Sequence, residues 1–183
     1  MTVPDGPDQM PRAFAGVPSG SAHRRLEQAA WLVALFLLVA VGRLVFVGHF
    51  AESIPYWDEW DAEGARLLKP WLEGDLGVAD LFAAHNEHRI ALTRLIALLL
   101  FELNGRQWDN LVTIQFNVLI YAATTTLLHH LLTGRPLPRR EQVVLFLAQL
   151  ALAWLPFGFT NSLAAFQNQF FLIIAFSAAA GAM

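Results

Sequence analysis

AAWLVALFLLVAVGRLVFVGH, residues 29–49, carries a single charged side chain, Arg43, in a run that is otherwise apolar apart from glycine and a closing histidine. Crossing bilayer hydrocarbon as a helix takes roughly 20 mostly apolar residues, with every backbone hydrogen bond closed inside the segment, and this run supplies them. A secretory leader would have an apolar core of only about 7–15 residues and a small-residue cleavage site, and neither fits. Arg43 lies toward the far end of the run. Its long stem allows two placements: snorkelling outward to the interface, or facing a bundle interior as a functional cation.

Composition extends the membrane reading to the whole chain of 183 residues. It is 56% hydrophobic and only 15% charged, with a mean hydropathy of +0.45. Soluble domains carry about 25% charged residues, so this chain lacks the polar surface to cover itself in water, whereas lipid asks for an apolar one. The net charge of −3 and the lack of a basic stripe exclude nucleic acid as a partner. With no cysteine, thiol catalysis, disulfides and Cys-ligated zinc are excluded too. No glycine-rich phosphate loop, nucleophile elbow or dinucleotide fingerprint is present.

Upstream of the first run, residues 1–27 are polar and broken by Pro4, Pro7, Pro11 and Pro18, which predicts a disordered tail ending at His23-Arg24-Arg25. Downstream, residues 50–109 are rich in acids, among them Asp58, Glu59, Asp61, Glu63, Asp75, Asp80 and Glu87, and poor in bases. Basic residues collect on the cytoplasmic side, so this loop is predicted outside and the tail inside. Within it Leu67, Leu68, Trp71 and Leu72 share one helical face, predicting an amphipathic helix on the membrane surface that ends near Gly74. Residues 90–104 are short for a span and carry Arg94 and Glu102. The basic loop Gly134–Arg140 falls inside only if residues 110–133 cross and 90–104 do not, so the latter are predicted to be interfacial or re-entrant.

The predicted architecture is therefore all-α: a polytopic transmembrane bundle in residues 28–183, with amphipathic interfacial helices in the first outer loop. Spans are expected at about 29–49, 110–133 and 142–160, with an incomplete one at 168–183 and a turn at Pro156, Gly158 and Asn161. Phe170 to Met183 is too short to cross and has no stop signal, so the sequence reads as the front part of a longer protein.

This topology gathers three polar clusters at the outer face. Tyr56-Trp57-Asp58-Glu59-Trp60 pairs acids with aromatics; Asp58, desolvated between indoles, is a candidate general base, or else these are solvated loop charges beside an aromatic belt. His85, His88 and Arg89 have the spacing of one helical face, suited to a phosphate held by Arg89 and a histidinium, to a divalent metal shared with Asp58 or Glu59, or simply to an exposed helix start. Gln167 and Asn168, with Gln169, offer amides to sugar hydroxyls or to a lipid headgroup, or cap and join helices. Gln115, Asn117, His129 and His130 read as inter-helix hydrogen bonds or interface residues.

The order of first span, acidic outer loop with Asp58-Glu59 just beyond the membrane, surface helices and further spans resembles the amino-terminal part of the GT-C superfamily. These polytopic glycosyltransferases use polyprenyl-phosphate sugars, and their hallmark is an acidic pair in the first outer loop. The His85–Arg89 run is similar to a motif of bacterial members of that architecture, which would place the protein in a bacterial inner membrane. The resemblance covers residues 29–183, and this chain departs from it in having fewer spans. It implies that Asp58 deprotonates an acceptor hydroxyl, that Arg89 with His85 or His88 stabilises the departing lipid phosphate directly or through a metal, and that Glu59 orients the acceptor. Two other classes fit the residues: a transporter or flippase using Arg43, Asp58 and the histidines, and a small non-catalytic membrane subunit.

Overall fold

The structure, a computed structural model, describes residues 19–86, 88–134 and 137–181. Helix α1 (Ser19–Phe50) has 32 residues and is about 48 Å long at the usual rise. It begins at Ser19 rather than at residue 28. The last proline of the tail is Pro18, and residues 19–27 hold none, so nothing stops the helix from running back to that point. Residues 1–18 of the expected tail lie outside the described residues. The helix is apolar all round, yet only one stripe is covered: Leu35, Val39, Arg43 and Val47 are buried, while Val33, Leu37, Val41 and Val45 are exposed.

Two further breaks in the sequence set the remaining long elements. Asp109 caps helix α5 (Asn110–Leu132), its carboxylate accepting from the Leu111 amide at 2.9 Å. Pro138 precedes helix α6 (Arg139–Trp154), and Pro156 lies just past its end, where Leu155 turns extended. A left-handed Gly158 then opens short helix α7 (Phe159–Leu163), a 3₁₀ turn over Ala165–Gln167 follows, and helix α8 (Asn168–Ala180) closes the described chain. Where a span is expected at 142–160 the helix has only 16 residues, short of the roughly 20 that crossing takes, because Pro156 and the left-handed Gly158 break the helical path. α1 and α5 are both long and apolar enough to cross a bilayer.

α5 is the hub of the bundle. Its start meets the end of α1, where the Asn110 amide donates to the Ser53 carbonyl at 3.1 Å, so the two helices run antiparallel. α6 returns beside α1: Arg139 pairs with Glu27 at 2.6 Å, and Trp154 Nε1 donates to the Leu38 carbonyl at 3.0 Å. α8 runs parallel to α5, marked by Asn117 to the Ala165 carbonyl at 2.7 Å and Thr124 to the Phe171 carbonyl at 3.4 Å. Residues 51–109 and 155–168 therefore share one end of the bundle, and Arg24, Glu27, Gly134 and Arg139 share the other. Asn117 and His129, which bonds Gln149, make the inter-helix contacts expected of them; Gln115 is exposed.

Arg43 points inward. It is 5% exposed, donates to Ser162 Oγ at 3.0 Å and to the Leu155 carbonyl at 3.4 Å, and lies 4.8 Å from the Tyr121 ring centroid. Snorkelling is ruled out by register, because Arg43 occupies the buried i+4 stripe of α1 and finds its acceptors there.

The connection between α1 and α5 builds a small core of its own. A π-helical stretch, Trp60–Leu68, runs into helix α2 (Lys69–Glu73), which ends at the left-handed Gly74 (φ 80°), as the sequence predicts. Helix α3 (Val78–Leu81), a two-stranded hairpin of β1 (Ala84–His85) and β2 (His88–Arg89), and helix α4 (Ala91–Leu103) follow. Leu67 and Leu68 pack on Ala97, Leu98 and Phe101 of α4. The expected amphipathic face is thereby divided: Leu67 and Leu68 are buried inside the protein, and only Trp71 and Leu72 remain exposed. Arg94, fully buried, donates to the carbonyls of Asp80 at 2.6 Å and Ala83 at 2.7 Å, satisfying acceptors at the end of α3.

Candidate functional site

Where the chain leaves α1 it must turn sharply to enter the π-helical stretch, and Glu59 ties that turn. Its carboxylate is buried and accepts from the Tyr56 amide at 2.6 Å, from the Phe166 amide at 3.3 Å and from the Asn110 side-chain amide. One side chain thus joins the post-α1 loop, the start of α5 and the turn before α8. Glu59 is held by these donors, and it also borders the cavity between residues 50–59 and 159–167. The tight turn leaves Trp57 at φ 52°, a left-handed conformation that costs a bulky residue on the order of 1–3 kcal/mol.

Asp58, one residue earlier, points the other way. Its side chain is 65% exposed, and its carboxylate lies 3.9 Å from Nε2 of His85, whose side chain is 7% exposed. Behind that contact the His85 ring packs edge-on against Phe166, with centroids 5.1 Å apart. Phe166 in turn packs with Ala62 and Ile90. Nδ1 of His85 is buried without a hydrogen-bond partner.

The expected helical face for His85, His88 and Arg89 is not formed. The chain turns at Asn86 (φ 51°), His85 pairs across the hairpin with His88, and Ala84 pairs with Arg89. Alternation in the strands sends neighbouring side chains to opposite faces, so the i, i+3, i+4 argument does not apply. His85 goes inward; His88 and Arg89 are exposed, and Arg89 donates to the Phe82 carbonyl at 3.3 Å. Glu87 of this cluster lies outside the described residues.

A cavity of about 560 Å³ opens between the Phe50–Glu59 segment and residues 159–167. Tyr56, Trp57, Asp58, Glu59 and Gln167 line it, with Phe50 and Phe159 adding apolar wall. Tyr56 and Trp57 are exposed and stacked, with ring centroids 6.0 Å apart. Oε1 of Gln167 is buried with no partner in the protein. Asn168 is not in the cavity wall: it is buried, and its Oδ1 accepts from Thr93 at 2.7 Å, joining α8 to α4. Of the residues singled out in the sequence, Asp58, Glu59 and Gln167 border one cavity and His85 backs Asp58; Glu59, through its donors, and Asn168 also tie the walls together.

Sequence reasoning missed Glu63. It is buried four residues after Glu59, and its carboxyl is pushed up to about 8, first by burial and then by the charge of Glu59, with a hydrogen bond from Trp108 pulling the other way. At neutral pH Glu63 therefore holds a proton while Glu59 keeps its donors. The i, i+4 spacing of two acids on one helix was the available signal. Among the described residues, no three His, Asp or Glu side chains come together as a metal site. With Glu59 engaged, Asp58 and His85 alone do not make up the expected divalent-metal set.

Fold and site together define a helical protein with two long apolar helices and an acid- and aromatic-lined cavity at one end of the bundle. Compared with known proteins, the chain matches no family model, no curated protein and no solved structure.

Proposed function

We propose that the protein is a multi-pass membrane protein that transfers a sugar from a polyprenyl-phosphate donor to a hydroxyl acceptor, in the manner of the GT-C superfamily, at the extracytoplasmic face. Support for the membrane comes from the apolar stripe of α1 that no other helix covers and from the matching outer faces of the bundle, including Leu147 and Leu152 of α6 and Ile173 and Phe176 of α8. Soluble monomers do not expose contiguous apolar surface on that scale. Exposed Leu92, Leu95, Leu99 and Leu103 form a stripe along α4 suited to lying at the interface.

The observation that carries the sugar-transfer reading is that Asp58, backed by His85, shares a cavity with Gln167 and the stacked Tyr56–Trp57 pair. An aromatic face suits the C–H side of a sugar ring, and the unpartnered Gln167 oxygen suits a hydroxyl donor. In the reaction, Asp58 takes the proton of the acceptor hydroxyl, the acceptor oxygen bonds the anomeric carbon, and the bond from that carbon to the phosphate oxygen breaks, releasing polyprenyl phosphate. His85 orients Asp58. Glu59 is a positioning residue, acting through the turn that it ties. Arg89 lies off the cavity wall and takes no part in this scheme.

The test is sugar transfer in membranes bearing the protein, with polyprenyl-phosphate sugars as donors. Asp58→Asn is expected to lower kcat by about 10²–10⁴-fold, and Arg89→Ala to leave transfer near normal. Full transfer by Asp58→Asn would remove the assignment. A transport reading has one observation in its favour: Arg43 is buried within α1 and its partners are all neutral among the described residues. Headgroup translocation lost in Arg43→Gln, with Asp58→Asn unaffected, would favour it.

A further inference from the structure

The end of the bundle opposite the candidate site holds a second cavity, of about 410 Å³, between α1, α5, α6 and the loop joining α5 to α6. Arg24 and Arg139 stand at its rim, Thr133 and Gln142 add polar groups, and Trp31 with the buried His129 forms its inner wall. Arg139 reaches across it to Glu27 at 2.6 Å. Arg25 and Arg140 adjoin the two rim arginines in sequence and are exposed, so cations exceed acids at this end, the reverse of the loop at the other. The wall is graded, with guanidinium groups outermost, neutral donors next and an indole beneath. That is the order in which a phospholipid presents its phosphate and its glycerol-to-acyl boundary.

We infer that this cavity binds the phosphate of a net-anionic phospholipid headgroup, with Arg24 and Arg139 as its charged donors and Trp31 at the headgroup–acyl border. A guanidinium fork meets a phosphate with paired hydrogen bonds, and at the rim of a bilayer that contact is only partly screened. The inference rests on the bundle standing in a bilayer and is independent of sugar transfer at the other end; incorporation into nanodiscs reports the first condition separately.

The full chain is placed in nanodiscs of phosphatidylcholine alone or mixed with phosphatidylglycerol, and thermal unfolding is followed. The anionic lipid is expected to raise Tm by about 3 °C, as a ligand specific for the folded state does. The double variant Arg24→Gln/Arg139→Gln should lose that rise. Glu27→Gln removes the same ion pair but keeps both cations, and should retain it, which separates lipid binding from loss of the bridge. Equal Tm in the two lipids, or an undiminished rise in the double variant, overturns the inference. Inorganic phosphate producing the same rise in phosphatidylcholine discs would assign the site to a free anion and overturn the lipid source.

Discussion

Glu59 and Glu63 divide the labour of a buried acid pair. Three N–H donors converge on the Glu59 carboxylate; Glu63 has an oxygen with no partner and keeps its proton. Between the ordinary carboxyl range and about 8, the folded protein holds a proton on Glu63 that the unfolded chain has released. Stability from this group is thus complete below about pH 4.5 and declines as pH rises to 8. Glu63→Gln, neutral at every pH, should stabilise by about 3 kcal/mol at pH 7, with a gain that is under about 1 kcal/mol at pH 5 and grows toward pH 8. Unfolding curves across that range check it; a gain independent of pH would contradict the protonation assignment. Trp57 raises the opposite issue. The residue is 81% exposed and its backbone is left-handed, so it contributes little packing while carrying strain. Trp57→Gly should keep or raise Tm and yet raise KM for the sugar donor, because the strain holds the ring over the cavity. Asp58 could be singled out from its aromatic neighbours in sequence. That Glu59 is tied down while Asp58 stays open could not be read there, since that depends on donors contributed from residues 110 and 166.

The helices owe their contacts to small residues placed opposite large ones. A Cβ at Gly42 would run into the indole of Trp154, whose Nε1 bonds the Leu38 carbonyl. Gly42→Ala should therefore cost about 1–2 kcal/mol by forcing the ring off that carbonyl. Trp154→Ala should abolish the cost, and a double-mutant cycle on Tm measures the coupling. The glycine looks unremarkable in sequence, sitting in a run apolar on every side. Helix ends were more legible: Asp109, Gly74 and the Pro138/Pro156 pair act locally, through caps and backbone geometry. The His85–Arg89 hairpin was not, because its spacing also suits a helix, while the observed hairpin turns at the left-handed Asn86 and sends His85 against Phe166, far away in the chain.

Across the whole molecule the charge balance differs by end, with acids in excess beside the aromatic cavity at one pole and arginines in excess at the other. If the bundle crosses a membrane, the two poles lie in different compartments. The chain has no cysteine, so single cysteines report cleanly. Ala65→Cys and Arg140→Cys, both at exposed positions, should react with an impermeant thiol reagent from opposite sides of sealed vesicles. Labelling of both from one side would break the proposed arrangement and the sugar-transfer site with it. The length and apolarity of α1 and α5 and the acid-rich connection were readable from composition, periodicity and charge, since those depend on residues near in the chain. Burial of Arg43, capture of Glu59 by Asn110 and Phe166, protonation of Glu63 and exclusion of Arg89 from the cavity needed the packed bundle. Each rests on partners far away in sequence, and whether a charged group is wet, paired or stranded is settled by what surrounds it in space.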